Sequence, residues 1–392
     1  MKENIYYSFL QIFYWGESAI VFVFSGLFLQ SSGLSNSSIG ILLALANIFS
    51  FILSNVIADY LDKHANIATN NIASQLLLLE LIVSIVLIFT YKSHTFVTGF
   101  LYMLLITQMF TVGMLYNKLY ADLSASEIYI NYSLSRGLGS FSFAVVSVFM
   151  GWLIEKCSCV TVPYAAVFVI LIQTVSLKLI GNIKRCLSAG ALKINPNNMH
   201  SFLGKNPGFC ILLIGIAFIF AAANVLNSFY YLIIENIGGN SSTLGNVKFF
   251  VSISELIMMF VYSRIKTGRI SLLLKIGLVF FPIKLLAIYL SDSVSELYIA
   301  NLLQGLSFGL YTPALVDWVI QVIPNTDSGK GQSLATSITQ LGTFISTIVF
   351  GFLFDGKSVN TCLVLMVVIS MIGVPLGMIG IRKQESLIQK ST

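Results

Sequence analysis

The chain has 392 residues, 56% of them hydrophobic and 10% charged, with a formal net charge of +6. A soluble protein of this length needs a polar surface that this composition cannot supply, and the apolar residues fall into blocks of about twenty, long enough for a helix to cross the ~30 Å hydrocarbon core of a bilayer. The expected fold class is therefore an all-α membrane protein, because backbone polar groups in lipid must be satisfied within each segment.

In chain order, helices are predicted at about 5–30, 39–59, 71–91, 96–121, 132–154 and 160–182, then at 206–236, 244–264, 269–290, 295–323, 332–354 and 360–381. These are twelve transmembrane helices, and the shortest division between them is the break around Ser93. The first helix is too long for a signal peptide, and Glu17 would sit in the middle of one. The stretch 183–205 is the one long polar connection, with basic residues in or next to it. It divides the chain into an N-terminal six-helix bundle (1–182), a cytoplasmic linker (183–205) and a C-terminal six-helix bundle with a short tail (206–392).

With the N-terminus in the cytoplasm, one side of the membrane holds Lys2, Lys63, Lys178, Lys184, Arg185, Lys193, Lys205, Arg264, Lys266, Arg269, Lys275, Lys330, Arg382, Lys383 and Lys390. The other side holds only Lys92, Lys156 and Lys357. Fifteen against three places both termini in the cytoplasm by the positive-inside rule. This bias accounts for most of the net charge, so no nucleic-acid partner is invoked.

The three histidines fall in loops, no HExxH spacing occurs, and Cys157 and Cys159 are read as free or packed thiols. No Walker sequence is present, and no set of nucleophile and base stands out. Neither an enzyme nor a cofactor is expected.

The informative residues are the charges inside spans: Lys118, Arg136, Lys248 and Lys284 against Glu17, Glu80, Glu255 and Asp317. Each costs at least ~2.5 kcal/mol at mid-bilayer, and such residues mark polar internal sites or buried pairs. Lys248, Ser252 and Glu255 share one face of the eighth helix by their spacing. Asn224 and Asn227 share a face of the seventh, ahead of Tyr230 and Tyr231. Gln304, Phe308, Tyr311, Leu315 and Trp318 form a stripe on the tenth. Rings beside carboxylates, amides and ammonium groups suit a sugar or another polar ligand, with rings on its apolar faces and polar groups on its hydroxyls. Asp317, nearer the cytoplasmic end, is read as structural. Glu80, in SQLLLLELIV, has no polar face and receives no role. Gly305 with Gly309, and Gly373 with Gly377, have the spacing that permits close helix approach or bending.

Several stretches resemble the major facilitator superfamily, and within it the lactose-permease-related group of oligosaccharide and nucleoside proton symporters. NYSLSRGLGSFSFA (131–144) resembles that group's fifth helix, with Arg136 on its arginine. GNVKFFVSISELIMMF (245–260) resembles its eighth, with Glu255 on its sugar-binding glutamate. GLVFFPIKLLAIYL (277–290) matches its ninth, with Lys284 where an arginine is usual, and NLLQGLSFGLYTPAL (301–315) resembles its tenth. The chain departs from the group at Gln304 and Ser307, which replace a histidine and a glutamate. Asn224 and Asn227 stand for aspartates, Thr339 for a lysine, Lys118 for a glutamate and Phe143 for a stacking tryptophan. Asp59 alone keeps the gating pattern between the second and third helices.

The resemblance implies two six-helix bundles of the major facilitator fold, acting as a monomeric secondary transporter in a bacterial cytoplasmic membrane. The expected cargo is a sugar, oligosaccharide or nucleoside imported with protons by alternating access. Import of an aromatic carboxylic acid, drug efflux, and an uncoupled facilitator or transporter-like receptor are the alternatives. Arg136, Glu255, Lys118, Asn224, Asn227, Lys284, Gln304 and Phe143 are the expected solute contacts. Proton coupling is assigned to Glu17, with the small Gly16 and Ser18 leaving room for water, or to Glu255.

Overall fold

The computed structural model of the chain describes residues 2–64, 66–126, 128–180, 202–324 and 327–389. The predicted linker at 183–205 lies outside these residues except for its last four positions. No strand occurs among the described residues.

The helices are α1 (Lys2–Val21), α2 (Ser25–Ser31), α3 (Asn36–Lys63), α4 (Thr69–Thr90), α5 (Thr95–Ala125), α6 (Tyr132–Cys157) and α7 (Thr161–Ile180). They continue as α8 (Pro207–Ala223), α9 (Val225–Asn236), α10 (Ser241–Ile265), α11 (Ile270–Tyr289) and α12 (Val294–Gln304). After a π-helical segment (Gly305–Gly309) come α13 (Leu310–Val322), α14 (Ser328–Gly356) and α15 (Val359–Gln389). Among the described residues, eleven helical spans are long and apolar enough to cross a membrane, and the bent pair α1–α2, angled by 40°, makes a twelfth if taken as one span. The protein is a multi-pass integral membrane protein. The short break at Ser93 divides α4 from α5 as predicted.

Three predicted spans are interrupted. The first bends between Val21 and Ser25, and the seventh breaks at Asn224 between α8 and α9. The tenth carries the π segment, whose extra residue per turn rotates everything after it relative to Gln304. Ends follow local chemistry. Ser35, Asn131 and Ser293 cap α3, α6 and α12 by accepting backbone N–H bonds from Ser38, Leu134 and Glu296. Gly33 and Gly238 take φ of +93° and +78° just past α2 and α9, a conformation in which a side chain would be strained.

Two compact units make up the chain. One comprises Met1–Ala191 with Asn227–Tyr231 and Gly239–Phe249, and the other comprises Leu192–Leu226, Leu232–Gly238 and Phe250–Thr392. This division differs from the sequence boundaries in assigning short segments of the seventh and eighth spans to the first unit. Within the first unit α1 packs on α6 and α7, α4 on α5 and α7, and α3 on α5.

In the second unit α8 lies against α15 and α14, while α11 packs on α15, α12 and α13. The α8–α15 seam is made of glycines: a Cβ on Gly215 would lie 2.6 Å from the Gly377 nitrogen and 2.7 Å from the Gly373 oxygen. The Gly373/Gly377 spacing therefore does serve close approach. So does Gly305/Gly309, whose missing side chains admit the backbone of Ser254 and Glu255 on α10.

Candidate functional site

In the second unit three predicted residues meet in one chain of hydrogen bonds. The Gln304 amide nitrogen donates to Glu255 Oε1 at 2.6 Å, and its oxygen accepts from the Lys284 ammonium. Gln304 ends α12 where the π segment begins, Lys284 follows Pro282 in α11, and Glu255 comes from α10. Lys284 is buried, whereas Glu255 and Gln304 are partly exposed. An amide held between a carboxylate and an ammonium fixes its own orientation and keeps two opposite charges in place inside spans, as membrane-embedded ions require. Such a group can hydrogen-bond a polar solute from both signs of charge.

Asn224 meets a side chain of α14. It sits at the α8–α9 break and donates to the Thr343 hydroxyl at 2.5 Å, which in turn bonds the Thr339 carbonyl at 2.8 Å. The rest of the predicted stripe stays together: Phe308, Tyr311, Leu315 and Trp318 lie in or against one apolar core. Tyr311 and Trp318 lie in the apolar core of the second unit, stacked among Phe220, Phe281 and Phe209. Asp317 accepts from Tyr262 at 2.8 Å and pairs with Lys266 at 3.0 Å, in keeping with a structural role.

The first unit places Arg136 beside an aromatic that sequence reasoning missed. Its guanidinium lies 3.8 Å from the Trp15 ring centre and donates to the Ser140 hydroxyl at 2.7 Å. Phe143 meets the same indole edge-on at 6.4 Å. The indole fits because Gly139 lacks a Cβ, which would stand 2.5 Å from Trp15 Cδ1. Its N–H is held by Gln11 at 3.2 Å, and Gln11 is held by the Tyr7 hydroxyl at 2.9 Å. The spacing Tyr7–Gln11–Trp15 was the available signal: three ligand-competent side chains four residues apart on one face. A cation on an indole with a phenyl beside it forms a surface suited to the apolar face of a sugar or a ring.

Lys118, expected as a solute contact, forms an ion pair with Asp62 at 2.8 Å, near the end of α3. Asp59, the expected gating residue, lies close by in sequence, 3.7 Å from Lys63, and both are largely exposed. Lys248 and Asn227 do meet, at 3.3 Å, with the Lys248 ammonium 5.9 Å from the Tyr230 ring. Lys248 thus reaches from α10 to residues of α9.

Glu17 is wholly buried, and its neighbour Gly16 faces Ser142 and Val146 of α6. Glu17 faces Glu80 of α4 and Gln173 of α7. Gln173 donates to Glu17 Oε2 at 2.6 Å, and the Tyr116 hydroxyl donates to Gln173 at 2.9 Å. Glu80, left without a role by the sequence, has its carboxyl group within hydrogen-bonding reach of Glu17. The four described cysteines are free.

The described residues thus form a helical membrane protein with charged and amide groups assembled inside its spans. The sequence profile of the MFS_1 like family matches residues 4–364, and the chain belongs to that family. It is 23% identical over 247 residues to the maltose permease of Geobacillus stearothermophilus and 25% identical over 249 residues to the uncharacterized transporter YwbF of Bacillus subtilis (strain 168). Each match covers 62% of this chain but only 61% and 60% of the respective relative. Among solved structures, the fold resembles a mutant of the nucleoside transporter NupG, with a TM-score of 0.77 at 12% identity, covering 96% of this chain and 98% of that one. It also resembles a D-xylose-proton symporter, with a TM-score of 0.66 at 12% identity, covering 95% and 96%.

Proposed function

We propose that the protein is a secondary active transporter that imports a small polar solute, a sugar, oligosaccharide or nucleoside, by alternating access and proton symport. The observation that carries this reading is the Glu255–Gln304–Lys284 chain, a polar group built from three helices inside the spans of the second unit. In the first unit, Arg136 on Trp15, with Phe143, forms a cation and aromatic surface of its own that also suits such a solute. The likeness to a maltose permease, a nucleoside transporter and a D-xylose-proton symporter supports the cargo class and the coupling ion.

The two bundles are assigned as 1–182 and 206–392, joined by a cytoplasmic linker, in a monomer. Both termini face the cytoplasm of a bacterial cell by the distribution of basic loops. The Lys248 ammonium over the Tyr230 ring favours a second cargo, an aromatic carboxylate, whose charge and ring those two groups would match.

A thermal-shift screen of the purified protein against sugars, nucleosides and aromatic acids separates these cargoes, since a ligand of the folded state stabilises it. With the hit in hand, Glu255→Gln and Arg136→Gln each abolish counterflow in proteoliposomes while membrane insertion stays normal. Counterflow retained in both variants would move the solute site elsewhere.

A further inference from the structure

Glu80 lies in a run of leucines, fully buried, and both of its carboxyl oxygens lack a hydrogen-bond partner among fixed donors. Glu17 Oε1 is in the same condition, while Glu17 Oε2 is taken by Gln173. The two carboxyl groups lie within hydrogen-bonding reach of each other. Two carboxylates so placed can only repel, and neither brings a donor. A single proton removes the conflict. It turns one group into a donor, satisfies Glu17 Oε1 and leaves the pair with one negative charge in place of two. A second proton makes two neutral acids and leaves no net charge in the membrane interior.

The surroundings fit such a cycle. α5 contributes Tyr116, whose hydroxyl orients Gln173 of α7 so that the amide N–H points at Glu17. Tyr14 of α1 is within electrostatic range of both glutamates, and Arg136 of α6 acts on Tyr14. No lysine or arginine forms an ion pair with either glutamate among the described residues. The charge of the pair is thus set by protons and not by a fixed cation. Ser84, one turn beyond Glu80 on the same buried face of α4, has a hydroxyl oxygen likewise without a partner.

We propose that Glu17 and Glu80 form a carboxyl pair that alternates between one and two bound protons, and that this pair is the proton-coupling site of the transporter. The proposal rests on the symport reading above and assigns its proton to the first unit, away from the Glu255–Gln304–Lys284 chain. The proton gained or lost is exchanged with water when the pair becomes accessible, and no other bond is made or broken.

The test uses the full-length protein with Glu17→Gln and Glu80→Gln, near-isosteric changes that keep a hydrogen-bonding amide in the pair. Each variant should lose proton-driven accumulation yet retain counterflow, which needs no net proton movement. In infrared spectra of the purified protein, the wild type should show a protonated-carboxyl band that titrates with pH, and this titration should be lost from both variants, whose single remaining buried acid stays protonated. Accumulation at the wild-type level in either variant overturns the proposal. If counterflow disappears as well, the infrared titration decides: lost from both variants it supports the pair, unchanged it overturns it. A wild type whose accumulation ignores the proton gradient refutes the symport reading, and the coupling role falls with it.

Discussion

Gly215→Ala tests whether the glycine seam between α8 and α15 sets the packing of the second unit. The new Cβ would lie 2.6 Å from the Gly377 nitrogen, 2.7 Å from the Gly373 oxygen and 3.0 Å from the Gly377 Cα. All three are backbone atoms, so no rotamer change relieves the contact. Ordinary carbon contacts lie at about 3.5–4.0 Å, and separating the helices by roughly 1 Å forfeits a quarter to a half of each nearby dispersion contact. The seam has no slack from the other side either, since a Cβ on Gly373 would stand 2.5 Å from the Gly215 oxygen. Overpacking of this kind costs about 1–3 kcal/mol, and the better helix propensity of alanine returns up to about 1 kcal/mol. The net expectation is a destabilisation of about 1–2 kcal/mol.

The assay is thermal unfolding in detergent, followed by a thiol-reactive fluorophore that reports exposure of buried Cys362. Gly137→Ala is the matched control, because nothing lies within 4 Å of its added methyl and the position is helical. It should be neutral or stabilised by up to about 1 kcal/mol. A Gly215→Ala protein as stable as the Gly137→Ala control would refute the packing argument.

Further outcomes follow from the same geometry. Gln304→Leu removes two hydrogen bonds to charged groups, each worth about 1.5–3 kcal/mol, and should lower thermal stability and weaken solute binding at least tenfold in the thermal-shift titration. Trp15→Ala strips the indole from Arg136, a contact worth about 0.5–2 kcal/mol, and should raise the half-saturating solute concentration in counterflow several-fold, with Trp15→Phe recovering part of the loss. Cysteines introduced at Asn198 and Asn240 should be labelled by an impermeant thiol reagent from opposite sides of the membrane.

Much of the architecture was legible because a bilayer imposes a length on every span and penalises every charge, so apolar runs and their interruptions could be read directly. The membrane class, the division at Ser93 and the close approach at Gly305/Gly309 and Gly373/Gly377 came from such local signals. Pairings did not. Glu80 looked partnerless because its own helix offers only leucines, and its partner is on α1, about sixty residues earlier in the chain. Lys118 aligned with a solute-binding position by resemblance, yet the packing of α3 on α5 gives it Asp62. Trp15 was overlooked because the value of an indole there depends on Arg136 from a distant helix and on the missing Cβ of Gly139.

The most direct test of the account is the pH inside proteoliposomes that hold the wild-type protein and a trapped pH indicator, when the solute identified by thermal shift is added outside. Proton symport predicts acidification of the lumen as the solute enters, abolished in Glu17→Gln and Glu80→Gln vesicles that still exchange solute. Solute entry with no change in internal pH would contradict it.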